Sequence, residues 1–189
     1  MMKYYKWQFD SKFDDCWFIS EPRLPNGEVV DSWFFRKCQT IDPSYISLVA
    51  STTYGDIVTE ASFGAFDIPY VRPKMAHALL DSVGNEIQLI PVHIEGFNED
   101  VFILNVLNSV KCVDESRSEF EKWAPGNTQR PNKVGQYKMI SKLLVDPNTT
   151  NDLNIFRPWG WTIKIVVSEK VKSVVEAIGA TGTTFELVS

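Results

Sequence analysis

Two stretches of the chain carry the same pattern, an amphipathic helix closed by glycine and set between apolar strands, and this pattern constrains the fold more than any other feature. In the first, Ala76, Leu79, Leu80 and Val83 fall on one side at helical spacing while Lys74 and Asp81 fall on the other. Pro73 suits the first turn, where its missing N–H is not needed, and Gly84 supplies a left-handed stop. In the second, Ser168 caps a helix with an apolar stripe of Val171, Val174, Val175 and Ile178, and Gly179 ends it. Ile68–Val71 and Ile87–Ile94 read as strands around the first helix, Trp161–Val167 and Phe185–Val188 around the second. Laid over each other, the segments pair Ala76 with Val171, Leu79 with Val174, Leu80 with Val175 and Val83 with Ile178. The expected fold is α+β, with mixed or antiparallel sheets, a few helices and two similar strand-helix-strand units. The match is what an ancient duplication leaves, and it is also what any two amphipathic helices ended by glycine show.

The remaining segments fit that class. Aromatic and polar residues alternate in Tyr5–Phe9, Trp17–Ile19 and Ser32–Phe35, which read as half-buried strands, with a turn around Pro22, Pro25, Asn26 and Gly27. Val101–Leu107 reads as a strand turned back on Ile87–Ile94 at Gly96–Asn98, and Gln136–Val145 as either helix or strand. Trp123–Gly135, rich in Pro, Gly and Asn, reads as the most mobile loop. A chain of 189 residues buries roughly 70% of its unfolded surface, enough for a core without disulfides or metal. One domain over residues 1–189 is the expectation, and the alternative division is an aromatic β-rich lobe 1–65 and an α+β lobe 66–189.

Several chemistries are disfavoured by what the sequence contains. Cys16, Cys38 and Cys112 are odd in number and far apart, so reduced thiols are expected. No apolar run is long enough to span a bilayer and the first residues lack the apolar middle of a signal peptide, so the expected location is the cytoplasm and no membrane partner is expected. The phosphate-loop, dinucleotide, zinc-protease and serine-hydrolase motifs are absent, and neither a cofactor, a metal nor a catalytic residue is assigned. Gly179-Ala180-Thr181-Gly182 has the spacing of an RNA-clamping loop but lacks basic surroundings, and reads as a connection needing positive φ twice. His93 and Cys112 form the one conceivable nucleophile pair, if the sheet brings them together.

Charge and aromatic content point instead to a surface. Residues 1–95 hold 8 Lys and Arg against 13 Asp and Glu, whereas residues 96–189 hold 11 of each, so the net charge of −5 arises in the first half. That field disfavours nucleic acid and favours a basic partner, although solubility alone also explains it. Asp14, Asp15, Glu99 and Asp100 are the acidic residues expected to steer such a partner. With 6 Trp, 6 Tyr and 12 Phe, some aromatics must reach the surface, and Trp159 and Trp161 are the expected interface anchors.

The second half also carries a family resemblance. Phe102–Asn105, Cys112–Asp114 with Ser118, Asn154–Arg157, and Val167–Glu169 leading through a helix to Gly182 and Phe185 resemble the eleventh family of bacterial polymorphic-toxin immunity proteins. The resemblance runs over about residues 66–189. It implies a cytosolic α+β protein that binds a cognate protein toxin and blocks it without catalysis; a homodimer is a separate expectation. The matched Asn105, Asp114, Ser118, Phe156 and Gly182 are then structural, serving caps, turns and core. A regulatory or small-ligand-binding domain is the alternative function, and a Cys-His enzyme a further one.

Overall fold

The computed structural model describes residues 2–13, 15–42 and 47–189. Its strands are β1 (Tyr4–Phe9), β2 (Phe18–Ile19), β3 (Leu48–Ala50), β4 (Thr52–Tyr54), β5 (Ala61–Gly64), β6 (Pro69–Val71), β7 (Ile87–Ile94), β8 (Val101–Val106), β9 (Ser109–Val110), β10 (Glu119–Lys122), β11 (Tyr137–Lys142), β12 (Ile155–Pro158), β13 (Ile165–Ser168) and β14 (Thr183–Leu187). Two α-helices, α1 (Pro73–Val83) and α2 (Glu169–Ala177), complete an α+β architecture. One sheet has the order β3-β7-β8-β6-β5-β2-β4, a second the order β14-β1-β13-β12-β9, and β10 and β11 form a separate hairpin.

The two helical units share a topology. β6 and β7, joined by α1, both pair antiparallel with β8, which lies between them. β13 and β14, joined by α2, both pair antiparallel with β1, which lies between them. Each unit is therefore a strand-helix-strand crossover split by an inserted antiparallel strand. The inserted strand follows the crossover in the first unit and comes from the start of the chain in the second.

Burial explains why both helices form. α1 and α2 pack on each other and cover one face of each sheet. Met75, Ala76, Leu79, Val83, Val171 and Val175 join Val71, Leu104 and Val106 from one sheet and Trp7, Ile165 and Val167 from the other in one apolar cluster. The alternation of strand residues does the rest. Ile103 faces a second cluster with Phe35 and Ile90, and Val166 a third with Tyr4, Val110 and Phe156. Truncating Leu79, which is fully buried, costs about 2–5 kcal/mol by cavity formation.

The helical stripe of α1 differs from the expected one at a single residue: Leu80 is 42% exposed and Met75 takes its place in the core. The N-caps Arg72 and Ser168 occupy equivalent positions. This superposition is shifted by one residue from the apolar match, and puts Leu79 opposite Val175. Ser32–Arg36 is a 3-10 helix and not a strand, because the Asp31 carboxylate accepts from the Trp33 N–H at 2.9 Å and starts a turn. β13 begins at Ile165 and not at Trp161. The carbonyls of Thr162 and Ile163 accept hydrogen bonds from buried arginines instead of a neighbouring strand.

The residues carried by the family resemblance hold local structure. Asn105 is buried and donates to the Gln39 carbonyl and to Gln88 Oε1. Ser118 Oγ both accepts from Leu144 N–H and donates to its carbonyl, which closes the base of the β10-β11 hairpin. Gly182 has φ +82°, and a Cβ there would come within 2.2 Å of the Ala61 carbonyl oxygen, so only glycine fits. Gly179 is also at positive φ, as the connection requires.

Candidate functional site: a cationic aromatic groove

A concavity of about 550 Å³ opens where the 3-10 helix, the β10-β11 hairpin loop and the β12-β13 turn meet. Trp33, Arg36 and Lys37 come from the 3-10 helix, Phe66 from the turn before β6, Trp123, Arg130, Lys133 and Lys138 from the hairpin, and Trp159 and Trp161 from the β12-β13 turn. None of its lining residues is acidic, although the chain is net negative.

Its rings hold cations. The Arg36 guanidinium sits 4.1 Å from the centre of the Trp33 ring and 5.7 Å from Phe66, and Lys133 Nζ lies 4.8 Å from Trp33. Lys111 stacks on Trp159, and Arg130 and Lys138 lie near Trp123. Such contacts are worth about 0.5–1 kcal/mol at exposed sites and more where desolvated. They keep the cations in place where carboxylates are few: Lys138 pairs with Glu121 at 2.8 Å.

Behind the rings lie two buried guanidiniums. Arg36 is 4% exposed and Arg157 is fully buried. Arg36 Nε and Arg157 Nη1 both donate to the Thr162 carbonyl, at 3.1 Å and 2.8 Å. Arg36 Nη1, Arg157 Nε and Arg157 Nη2 have no hydrogen-bond partner among the described residues. Burial lowers both arginines to about 10, and the charge of Arg36 adds to the lowering at Arg157. Lys133 is lowered by burial first and then by Arg36 and Arg130. Asp67 opposes the trend at both arginines, while its carboxylate is bound by Lys164.

The backbone around Arg36 is strained. Cys38, Phe66 and Asp67 have φ of 53°, 58° and 56°, values uncommon for residues other than glycine. Phe66 presents its ring to Trp33 at 5.4 Å from this conformation. Strain of this kind costs of order 1–3 kcal/mol per residue and concentrates at functional sites.

Of the residues expected from sequence to touch a partner, Trp159 and Trp161 line the groove, Trp159 exposed and Trp161 half-buried. Gly160, with φ 78°, turns the chain between them, and its carbonyl accepts from Tyr137 N–H. The acidic residues lie elsewhere. Asp14 is outside the described residues, while Asp15, Glu99 and Asp100 are exposed. Trp17 packs edge-on against Phe97 at 4.8 Å and so links the neighbourhoods of Asp15 and Glu99. Arg72 donates to both Glu60 and Glu99 there.

The conceivable nucleophile pair is separated by the fold. His93 is exposed on β7 in the seven-stranded sheet, whereas Cys112 is buried in the third apolar cluster with its thiol pushed up to about 12 by burial. At that value almost no thiolate exists near neutral pH. Groups of His, Cys, Asp and Glu able to hold a metal ion are absent among the described residues, and no helix described is long and apolar enough to cross a membrane.

The fold and this groove define an α+β protein with a concave, cation-rich surface. A model of the immunity protein family (Imm11) matches residues 89–189, more than half of the chain, and the protein belongs to that family. The match includes the hairpin loop and the Trp159–Trp161 turn but not Trp33, Arg36 or Phe66. Comparison with curated proteins gives no match.

Proposed function

We propose that the protein binds a cognate bacterial toxin in the cytoplasm and neutralises it without turnover, by covering the toxin's active site or holding an inactive conformation. Membership of the immunity family carries this reading. The high pKa of the Cys112 thiol is consistent with it, since a buried thiol is a poor nucleophile. Two surfaces are proposed as contacts: the groove mouth with Trp159 and Trp161, and the acidic end with Asp14, Asp15, Glu99 and Asp100. Aromatic anchors supply affinity, and exposed charges mainly set the association rate.

Co-expression with the protein encoded by the neighbouring gene tests the reading. The expected result is rescue of growth together with a stable complex on purification. A toxic neighbour that remains toxic beside the folded, soluble chain, with no complex, overturns it. The groove volume favours a second reading as a small-ligand-binding domain, since about 550 Å³ lies within the roughly 300–1,000 Å³ of ligand sites. That reading requires a small molecule that raises the melting temperature in the absence of any protein partner.

A further inference from the structure

The groove is a site built for negative charge and left without it. Arg36, Lys37, Arg130, Lys133 and Lys138 line it, and among the described residues only Lys138 of these forms an ion pair with a carboxylate. Arg36 is nine-tenths buried, lies in the groove wall and keeps Nη1 unpartnered. Leaving a buried charged donor unsatisfied is costly, and an arginine fork is matched by a carboxylate or phosphate.

The rings narrow the ligand further. Trp33 carries Arg36 and Lys133, Trp123 lies beside Arg130 and Lys138, and Trp159 carries Lys111. A planar ligand stacking on these indoles competes with the chain's own cations, whereas an anion meets them as they stand. The cations are also held on three separate rings instead of converging on one point. Dispersed posts of positive charge suit a run of carboxylates better than one compact anion.

We propose that the groove is a socket for an acidic, carboxylate-bearing segment of the partner protein, captured at the mouth by Arg130 and Lys133 and attracted to the inner wall by the charge of Arg36 behind the Trp33 ring. The identity of the partner as the toxin rests on the function proposed above; the preference for acidic peptide does not. Phe66 and Asp67 hold the inner wall in its strained form, so the socket is shaped before the segment arrives.

The test uses the full chain, titrated at low ionic strength with a capped decaglutamate peptide or, separately, with inorganic pyrophosphate at matched ionic strength. The readout is indole emission, since four tryptophans line the groove. The peptide is expected to shift the emission, and the double variant Arg130→Gln/Lys133→Gln to weaken binding roughly tenfold while keeping the native circular-dichroism spectrum. Arg36→Gln, checked for folding by circular dichroism, should abolish the shift. Pyrophosphate binding with a silent peptide overturns the proposal in favour of a small-anion site, and silence from both overturns it outright. If the toxin complex forms, the double variant should weaken it roughly tenfold as well. An unaffected complex removes the socket from the interface while leaving toxin binding intact. Peptide binding with no toxin complex leaves the socket standing and fails the proposed function.

Discussion

At the acidic end of the seven-stranded sheet, one arginine serves two carboxylates: Arg72 donates to Glu60 and to Glu99, and its own charge is balanced. In the groove, two arginines share one carbonyl oxygen, that of Thr162, and three of their nitrogen atoms have no partner among the described residues. The first arrangement pairs opposite charges and leaves a single buried oxygen, Glu60 Oε2, without a partner among the described residues. The second is open, and an anion in the proposed socket would offset part of its cost. Net charge describes neither, because much of the excess acid lies on the exposed surface while the charge behind the groove is buried, positive and only partly offset by Asp67.

That contrast can be broken in the proposed complex with a toxin. Trp159→Ala should weaken it by about 2 kcal/mol, roughly 30-fold, chiefly through faster dissociation. Neutralising Asp14, Asp15, Glu99 and Asp100 together should instead slow association a few-fold and flatten its dependence on salt. Surface plasmon resonance at two ionic strengths separates the effects, and an unchanged dissociation rate for Trp159→Ala removes the groove mouth from the interface.

The same contrast predicts opposite signs in stability. Arg72→Met leaves Glu60, whose side chain is 17% exposed, without its partner and should cost about 1–2 kcal/mol. Arg36→Met removes a buried charge that repels Arg157 and should stabilise the free chain by about 1 kcal/mol. At this chain length each kcal/mol moves the melting temperature by roughly 2–4 °C, which calorimetry resolves. A loss of stability in Arg36→Met would show that its contacts with Trp33 and Thr162 outweigh the open charge.

Acid should loosen the groove through its hairpin wall. Asp114 accepts from Ser116 and Arg117 and is held down to about 2, and Glu115 is lowered by hydrogen bonds from Lys122 and Tyr137. A carboxyl group with a depressed folded-state pKa contributes stability above its unfolded value, about 4, and loses that contribution as pH falls toward its folded value. Indole emission should therefore change between about pH 4 and pH 2, and Asp114→Asn should bring much of that loss to neutral pH. An acid transition identical in the variant excludes the Asp114 turn as its origin.

Much of the frame was legible because it obeys short-range rules. The bounds of α1 follow from Pro73, the apolar period and Gly84, and the strands β7 and β8 from their runs and the turn between them. Ser32–Phe35 was misread because its aromatics mimic a strand while the deciding contact is a cap from Asp31. The groove was half legible: Trp159 and Trp161 stood out, and so did the loop at Trp123–Gly135 that forms its wall. Its charge was not, since Arg36, Lys133 and Arg157 are brought together from distant positions and a count by halves averages them away. The one local signal was the spacing of basic residues close behind tryptophans, as in Trp33 with Arg36 and Trp123 with Arg130.

The strand inserted in the second helical unit sets a schedule for the newborn protein. β1 leaves the ribosome long before its two neighbours, β13 and β14, which with α2 follow every other element in the sequence. The first unit, with β6, α1, β7 and β8 contiguous, can assemble while translation continues, as early segments generally do. The five-stranded sheet must wait until residue 187 has cleared the exit tunnel, and β1 spends that interval with both edges unpaired. Residues 89–189 expressed alone would lack the strand between β13 and β14 and expose those edges instead. A fragment bearing only the family match therefore lacks the strand that joins β13 to β14, and is not a substitute for a chain that includes β1.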